Sequence, residues 1–545
     1  MSLRESPFPN GFLEGLHAVG WGLIFPCFWF LDRLIAVCVS TTLERMWRHE
    51  QECYLHPLKL IFGSILFFIL FIISTPFAFL GFILWAPLQA IRRPFSYHKQ
   101  EQSIPMENRN ARWEEMGKIS FGFLTANVCL LPDGIARFNN LGHTQKRALI
   151  IGKSIVQGVT RPHIRIFVDS PSSCGTVTPS SSLIPQPNAS SYGSVDASVE
   201  PPDAIEANEA TPKPNCNQNS NHQKHPPRSL RTLQRDADVP MEVSALFPPS
   251  VDIVCLQEVF DKRAALKLTQ ALGPLYGHVL YDVGVYACHP AGSCSSFKFF
   301  NSGLFLASRF PIVEAEYRCF PNGRGEDALA AKGLLTVKVD TGLQKGEKRM
   351  VGFINCTHLH APEGEGAIRF EQLNMLSKWT SEFQTLNRRD DELLLFDVLC
   401  GDFNFDNCSP DDRLEQSHSL FDEYTDPCRA AAGKEKPWVI GTLLEQPTLY
   451  DENMRTPDNL QRTLESEDLR KDFISPPVAL DGVPLVYPEA DQPWIGRRID
   501  YLLYREKSGH RTEVEELTYV TQLAGLTDHI PVGFRLSVSL DSEQN

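Results

Sequence analysis

The sequence predicts an α+β fold, a two-sheet sandwich with helices outside, preceded by an N-terminal membrane-embedded helical hairpin region. Three observations lead there. Between residues 251 and 538, short apolar runs alternate with turns at strand length, not helix length. Few stretches carry a helical period, chiefly 260–272 and 365–383, and many strands with few helices point to α+β. Before residue 100 stand two long stretches that are apolar and nearly free of charge.

The chain has 545 residues, enough for one large core or two to three domains, and its 42% hydrophobic and 22% charged residues suit a folded protein. Its net charge of −14 is unevenly spread: the first hundred residues carry eight Lys/Arg against six Asp/Glu. A slightly basic apolar front suits a membrane surface, and an acidic body suits cations; this balance does not favour nucleic acid. The fourteen cysteines form no C-x-x-C pair or zinc-like spacing. Cys129, Cys255, Cys356 and Cys400 lie in strand-like runs and read as buried thiols of a reducing compartment.

In chain order, residues 1–100 read as the membrane-anchoring region. The first apolar segment, 16–31, contains Pro26 and is slightly short for the ~20 residues of a spanning helix. The second, 60–90, contains Pro76 and Pro87 and is too long for one span, whereas two half-helices turning at Pro76 are too short. Re-entrant or interfacial hairpins are therefore expected in preference to two full spans. Arg33, Arg45, Arg48, Arg92 and Arg93 flank these segments and suit anionic headgroups, and Cys27, Cys38 and Cys53 are positioned for palmitoylation. A polar joint occupies 101–118, and 119–168 opens the next domain with a strand over 119–130, a helix over 135–158 and a strand at 164–168. Residues 169–238 turn to Ser, Pro, Asn and Thr and read as a disordered insert looped out of that domain. The remainder, 239–545, supplies strands at 251–256, 303–307, 334–339, 351–356, 393–400, 499–503 and 532–536.

Polar side chains stand at the ends of these strands. Glu258 follows the run Ile253 to Gln257; Asn127 ends the first strand; His358 follows Cys356-Thr357; Asp402 and Asn404 follow Cys400-Gly401; Asp500 opens a late strand; Asp528 and His529 precede the last. Each alone has a plain explanation as a turn or a core residue. Together they suit metal-assisted phosphodiester hydrolysis. A carboxylate such as Glu258 fits a hard, oxygen-preferring ion such as Mg²⁺, an imidazole such as His529 can take a proton from water, and Asn127, Asn404 and His358 can donate to phosphate oxygens.

The order Asn127, Leu-Gln-Glu258, Thr-His358, Gly-Asp402-Phe-Asn404, Arg-Ile-Asp500-Tyr, Asp528-His529 resembles the DNase I-like endonuclease/exonuclease/phosphatase superfamily. Within it, Ala126 to Asp133, Cys255 to Ala264, Cys356 to Ala361 and Cys400 to Cys408, with the two apolar segments, resemble the membrane-anchored neutral sphingomyelinases. The resemblance implies a four-layer sandwich and hydrolysis of sphingomyelin to ceramide and phosphocholine, dependent on Mg²⁺ or Mn²⁺. It implies Glu258 as metal ligand with Asp528 near the metal, His529 as general base oriented by Asp500, and Asn127, His358 and Asn404 on the phosphate. Asp402 would orient the water or assist the leaving group. Asp327-Ala-Leu-Ala-Ala-Lys332 matches an element thought to switch the site on, and the flanking arginines match positions that bind phosphatidylserine. The other readings are an inositol-polyphosphate phosphatase or a nuclease; Gly496-Arg497-Arg498 stands where the phosphatase would show Cys-Asp-Arg. The short insert favours the mitochondria-associated type, with Golgi, endoplasmic reticulum and plasma membrane as alternatives.

Overall fold

A computed structural model describes residues 3–50, 55–101, 117–161, 239–288, 297–480, 483, 493–506 and 510–540. Cys53, the joint at 102–116, the strand expected at 164–168 and the insert at 169–238 lie outside the described residues.

In chain order the principal strands are β1 (Ser96–Lys99), β2 (Lys118–Asn127), β3 (Met241–Ser244), β4 (Ile253–Gln257), β5 (His278–Tyr281), β6 (Phe305–Ser308), β7 (Ile312–Cys319), β8 (Gly333–Lys345), β9 (Lys348–His358), β10 (Glu392–Asp402), β11 (Asp500–Tyr504), β12 (His510–Val520) and β13 (Val532–Leu540). Eight make one sheet, ordered β1-β5-β6-β4-β2-β13-β12-β3, and five make the other, ordered β11-β10-β9-β8-β7. Side-chain alternation dictates how they stack. Phe121, Phe123 and Cys255 face inward and meet Ile354, Cys356, Val398 and Cys400 of the smaller sheet. Their neighbours Leu124, Ala126, Val254 and Leu256 face outward, against Ile151 and Leu268 of two helices, Thr144–Val159 and Lys262–Tyr276. On the other side Leu399 and Leu503 meet Leu373 and Leu376 of the helix Gly366–Asn387. Each such buried side chain contributes about 1.5–3 kcal/mol. The four layers of the expected sandwich follow.

Three expectations are corrected. The sandwich begins before residue 100, because β1 pairs antiparallel with β5 at the edge of the large sheet. Ser-Tyr-His-Lys is short and polar, so no alternation announces it. The helix expected over 135–158 is instead a turn, Asp133–Ala136, and the helix Thr144–Val159, separated where Asn140 and His143 adopt left-handed φ of 59° and 56°.

The third correction concerns the apolar segments. They form α1 (Gly11–Cys38) and α3 (His56–Gln89), joined through the short α2 (Thr42–Glu50). The chain does not turn at Pro76: α3 continues through it. In an apolar setting an unpaired backbone group has no water to turn to, so the helix persists and side chains adjust locally. Ser74 and Thr75 hydroxyls donate to the Phe71 carbonyl at 3.0 and 2.8 Å, on the turn before the proline. At 28 and 34 residues the helices are about 42 and 51 Å long, beyond the ~30 Å of a bilayer core. They run antiparallel, Gly20 against Gly81 and Gly63 against the Val37 side chain, glycines that let the helices approach.

α1 lies alongside the catalytic fold. Lys262 sits 4.6 Å over the Trp21 ring and Arg263 5.0 Å over Phe25. Further along, Asp32 accepts from the Gly134 amide at 2.7 Å and Arg33 pairs with Asp133 at 2.8 Å. Past the helix end, Arg137 grips Glu44 with both guanidinium nitrogens, at 2.5 and 2.8 Å.

Candidate active site

Strand register brings the polar strand ends together. β2 and β4 run parallel and in register, so Asn127 ends beside Gln257, and Glu258 is the next residue. β9 and β10 are also parallel, so His358 ends beside Asp402. β11 is antiparallel to β10, so its first residue, Asp500, lies opposite Asp402. Val532 pairs with Thr125, which sets His529 at the same edge of the large sheet. Gly401 makes the close approach of β9 and β10 possible: a Cβ there would fall 2.0 Å from the Thr357 carbonyl oxygen, and its φ of 145° suits glycine.

Asn127 joins the two sheets, donating from Nδ2 to Asp402 Oδ2 at 2.9 Å. The other Asp402 oxygen accepts from the Asn404 amide at 2.9 Å. Burial pushes the Asp402 carboxyl up to about 6; Asp500 adds to this, while His529 and Asn127 oppose it. His529 Nδ1 and Asp500 Oδ2 lie 2.9 Å apart, leaving Nε2 4.0 Å from Asp402 Oδ2. Burial disfavours the imidazolium, but Asp500 outweighs it, helped by Asp402 and Asp528, and holds His529 at about 10. His358 behaves oppositely. Burial, with Lys332 nearby, drives it well below the usual histidine range, and neither of its buried ring nitrogens has a hydrogen-bond partner.

Glu258 has a left-handed φ of 60°, unusual outside glycine, which turns its side chain off the end of β4. The residue is half-buried, yet its Oε2 is sealed off without a partner. Burial and the neighbouring Asp528 raise its carboxyl to about 7, against the pull of Lys332 and His529. Asp528 is similar: Oδ2 accepts from Gln446 at 2.9 Å, and buried Oδ1 has no partner. Two buried carboxylate oxygens without partners, Glu258 Oε2 and Asp528 Oδ1, fit a divalent cation. Mg²⁺ needs only one or two carboxylates and keeps several waters. A second group, Asp402, Asp500 and His529, has donor atoms within 4.8 Å of one another; there Asp500 Oδ2 pairs with His529 and Asp402 accepts from Asn127, which leaves Asp500 Oδ1 as its buried oxygen without a partner.

Lys332 and Asp327 form a buried ion pair at 2.9 Å. Lys332 also donates to the Leu359 carbonyl at 3.0 Å, which accepts from Asn404 Nδ2 as well, at 3.0 Å. Asp327 accepts from the Ala361 amide at 2.7 Å and lies 3.2 Å from His360 Nδ1. The pair thus grips the loop that follows His358. Burial opposes ionisation of Asp327, but Lys332 and His360 hold its carboxyl far below the usual range.

Sequence reasoning missed Gln446 and the Leu359 carbonyl. Nothing marks a loop glutamine 82 residues before its partner, and a backbone acceptor leaves no signature. His360 was within reach, since it alternates with His358 in Thr-His-Leu-His. Of the flanking arginines, Arg33 is paired with Asp32 and Asp133. Arg92 is buried on Asp282 at 2.6 Å and the Gly284 carbonyl at 3.1 Å. Arg93 lies over Phe95, Arg48 contacts His56, and Arg45 is exposed. Desolvated arginines already paired with protein carboxylates are poor headgroup contacts.

Residues 12–91 match the family described as neutral sphingomyelinase N-terminal transmembrane region, and residues 215–529 match the endonuclease/exonuclease/phosphatase family. The chain is 97% identical to sphingomyelin phosphodiesterase 5 of Danio rerio over 545 residues, all of both chains. It is 41% identical to sphingomyelin phosphodiesterase 3 of Rattus norvegicus, again with all of both chains covered. A crystal structure of a Staphylococcus aureus beta toxin with bound magnesium ions covers 76% of this chain and 99% of its own, at 15% identity and a TM-score of 0.36.

Proposed function

This chain belongs to the membrane-associated neutral sphingomyelinases, which are sphingomyelin phosphodiesterases, and we propose that it hydrolyses sphingomyelin to ceramide and phosphocholine with Mg²⁺, or Mn²⁺, held at Glu258 and Asp528. The observation that carries the reading is the pair of orphaned oxygens, Glu258 Oε2 and Asp528 Oδ1, beside the Asp500–His529 couple. When bound there, the cation polarises a phosphoryl oxygen and stabilises the departing alkoxide.

The chain's own groups do the rest. Asp500 fixes the His529 ring through Nδ1 and leaves Nε2 to serve the water. His529 is strongly basic in this carboxylate-rich setting, so it must lose its own proton before it accepts one from water. Neutralising the charge on Glu258 and Asp528 favours that loss. His358 stays neutral, its Nε2 3.5 Å from Asp402 Oδ2, and offers a ring N–H to phosphate, with Asn404 beside it. Asn127 holds Asp402 in place, and Asp402 orients the water or, when protonated, gives the departing alkoxide its proton.

The hairpin, lying along the catalytic fold and exposing an apolar face at Phe62, Ile69, Ile73 and Leu80, supports a membrane contact in the plane of the bilayer. Arg45 and Arg48 are the arginines we assign to anionic lipid such as phosphatidylserine, and the short insert supports a mitochondrial membrane.

The test is turnover by purified full-length protein on sphingomyelin, phosphatidylcholine, an inositol polyphosphate and DNA, each after chelation and after Mg²⁺ is restored. Sphingomyelin alone should be cleaved, and only with Mg²⁺. Turnover that survives chelation sinks the metal assignment. Calorimetric Mg²⁺ binding should vanish in Glu258→Gln, independently of activity.

A further inference from the structure

Between the hairpin and the catalytic fold lies an apolar cavity of about 470 Å³ that the chemistry above does not use. One wall is membrane helix, with Trp21, Phe28 and Phe82; the other is catalytic domain, with Phe260, Phe299 and Leu329. Its volume is within the range of sites that enclose a small ligand, about 300–1,000 Å³. We propose that this groove binds the hydrocarbon chains of the sphingolipid substrate and so leads the scissile phosphodiester from the bilayer to Glu258.

Three features select that occupant. The helical wall belongs to the two apolar helices, and Leu31 on it is 38% exposed, an apolar opening on the hairpin side. Phe299 is 63% and Leu329 41% exposed beside it, apolar surface that a hydrocarbon would cover. The other end closes on Phe260, two residues after Glu258; Gly303 packs against both, its missing Cβ being 3.0 Å from Glu258 Cα and from Phe260 Cζ. The polar rim also matches a phosphodiester lipid. Lys262 and Arg263 border the groove together with Lys298, facing Asp261. Lys262 is balanced by Asp282 at 3.7 Å and Lys298 donates to the Ala328 carbonyl at 2.8 Å, which leaves further N–H donors on each ammonium.

The groove is also joined to the buried ion pair. Phe299 and Phe300 amides donate to the Leu329 carbonyl at 2.8 and 3.0 Å, and Leu329 lies between Asp327 and Lys332. A chain packed on Phe299 and Leu329 therefore bears on the segment that carries Asp327. The groove is a positioning site: its residues touch the lipid tail, not the reacting atoms.

This inference rests on sphingomyelin being the substrate, and the experiment separates the two. Full-length protein in vesicles is assayed on long-chain sphingomyelin and on p-nitrophenyl phosphocholine, which carries the headgroup without chains. Ala78→Trp narrows the groove from α3, at a residue with no part in the catalytic set. It should lower kcat/KM for the long-chain lipid about ten-fold, the loss expected from displacing about two buried methylenes. Turnover of the soluble ester should stay within about two-fold. An equal loss on both substrates, or none on either, overturns the groove. Independently of any variant, sphingomyelin bearing a diazirine in its acyl chain should label peptides of α1, α3 and 297–300 on illumination. Equal labelling by phosphatidylcholine with the same diazirine assigns the groove to bulk lipid and overturns the proposal. Wild-type protein that cleaves neither phosphocholine ester overturns the sphingomyelin reading itself.

Discussion

Asp500 meets His529 at 2.9 Å with its other oxygen buried and unpartnered, so the carboxylate is spent almost wholly on the ring. Asp500→Asn keeps the shape but removes the charge that stabilises an imidazolium. By the behaviour of carboxylate–histidine couples elsewhere, kcat should fall by about 10³–10⁴ with KM little changed, measured by steady-state kinetics alongside circular dichroism. Asn127→Ala removes the donor that holds Asp402, a loss of about 1–3 kcal/mol at a buried acceptor, seen as a lowered denaturation midpoint together with lowered kcat. The side chains of this site were legible because each stands at one end of an apolar run: Glu258 just after Ile253 to Gln257, Asp402 at the close of Glu392–Asp402, Asp500 at the opening of Asp500–Tyr504. What escaped were groups defined only by the folded neighbourhood. Gln446 meets Asp528 across 82 residues of loop, and the opposed basicities of His358 and His529 depend on burial and partners that no local pattern records.

At the scale of elements, two parallel strand pairs do the positioning, β2 with β4 and β9 with β10, and Gly401 sets the closeness of the second pair. Gly401→Ala forces the Thr357 carbonyl away and should destabilise the protein by more than about 1–3 kcal/mol, read as a fall in the melting temperature. Lys332→Ala leaves Asp327 buried without its main partner and frees the Leu359 carbonyl of one of its two donors. Activity should drop while co-sedimentation with vesicles is unchanged; unaltered rates would discard a role for the pair. The long central strands were legible from β-branched alternation. The edges were not: Ser96–Lys99 is polar, and His510–Val520 carries Glu513, Glu515 and Glu516, charges that suit a strand near the sheet margin but hide it in a hydrophobicity scan. Pro76 misled for a related reason, since a breaker in water is tolerated in a helix that has no water to gain.

For the whole molecule, the anchor and the enzyme share one structure. Removing residues 1–94, which spares β1, should move the protein to the soluble fraction after ultracentrifugation. If it stays in the pellet, the surface around Tyr286 and Phe297 that now packs on Trp85 and Phe82 is its own membrane contact. In the intact protein, Arg45→Glu should weaken binding to phosphatidylserine vesicles at low salt, with the difference fading as salt rises.

The clamp of α1 and α2 on the catalytic fold, from Trp21 through Arg33 to Glu44, has a kinetic consequence. An enzyme on a loose tether samples the bilayer at many heights and angles; this one cannot. With the hairpin in the bilayer, the clamp makes anchor and mouth move together, so its search for substrate is two-dimensional. Rate should then follow the mole fraction of sphingomyelin in the bilayer that the enzyme occupies, and be indifferent to how much more lies in vesicles it has not entered. Diluting the substrate with inert lipid, at constant total sphingomyelin, should slow the enzyme in proportion.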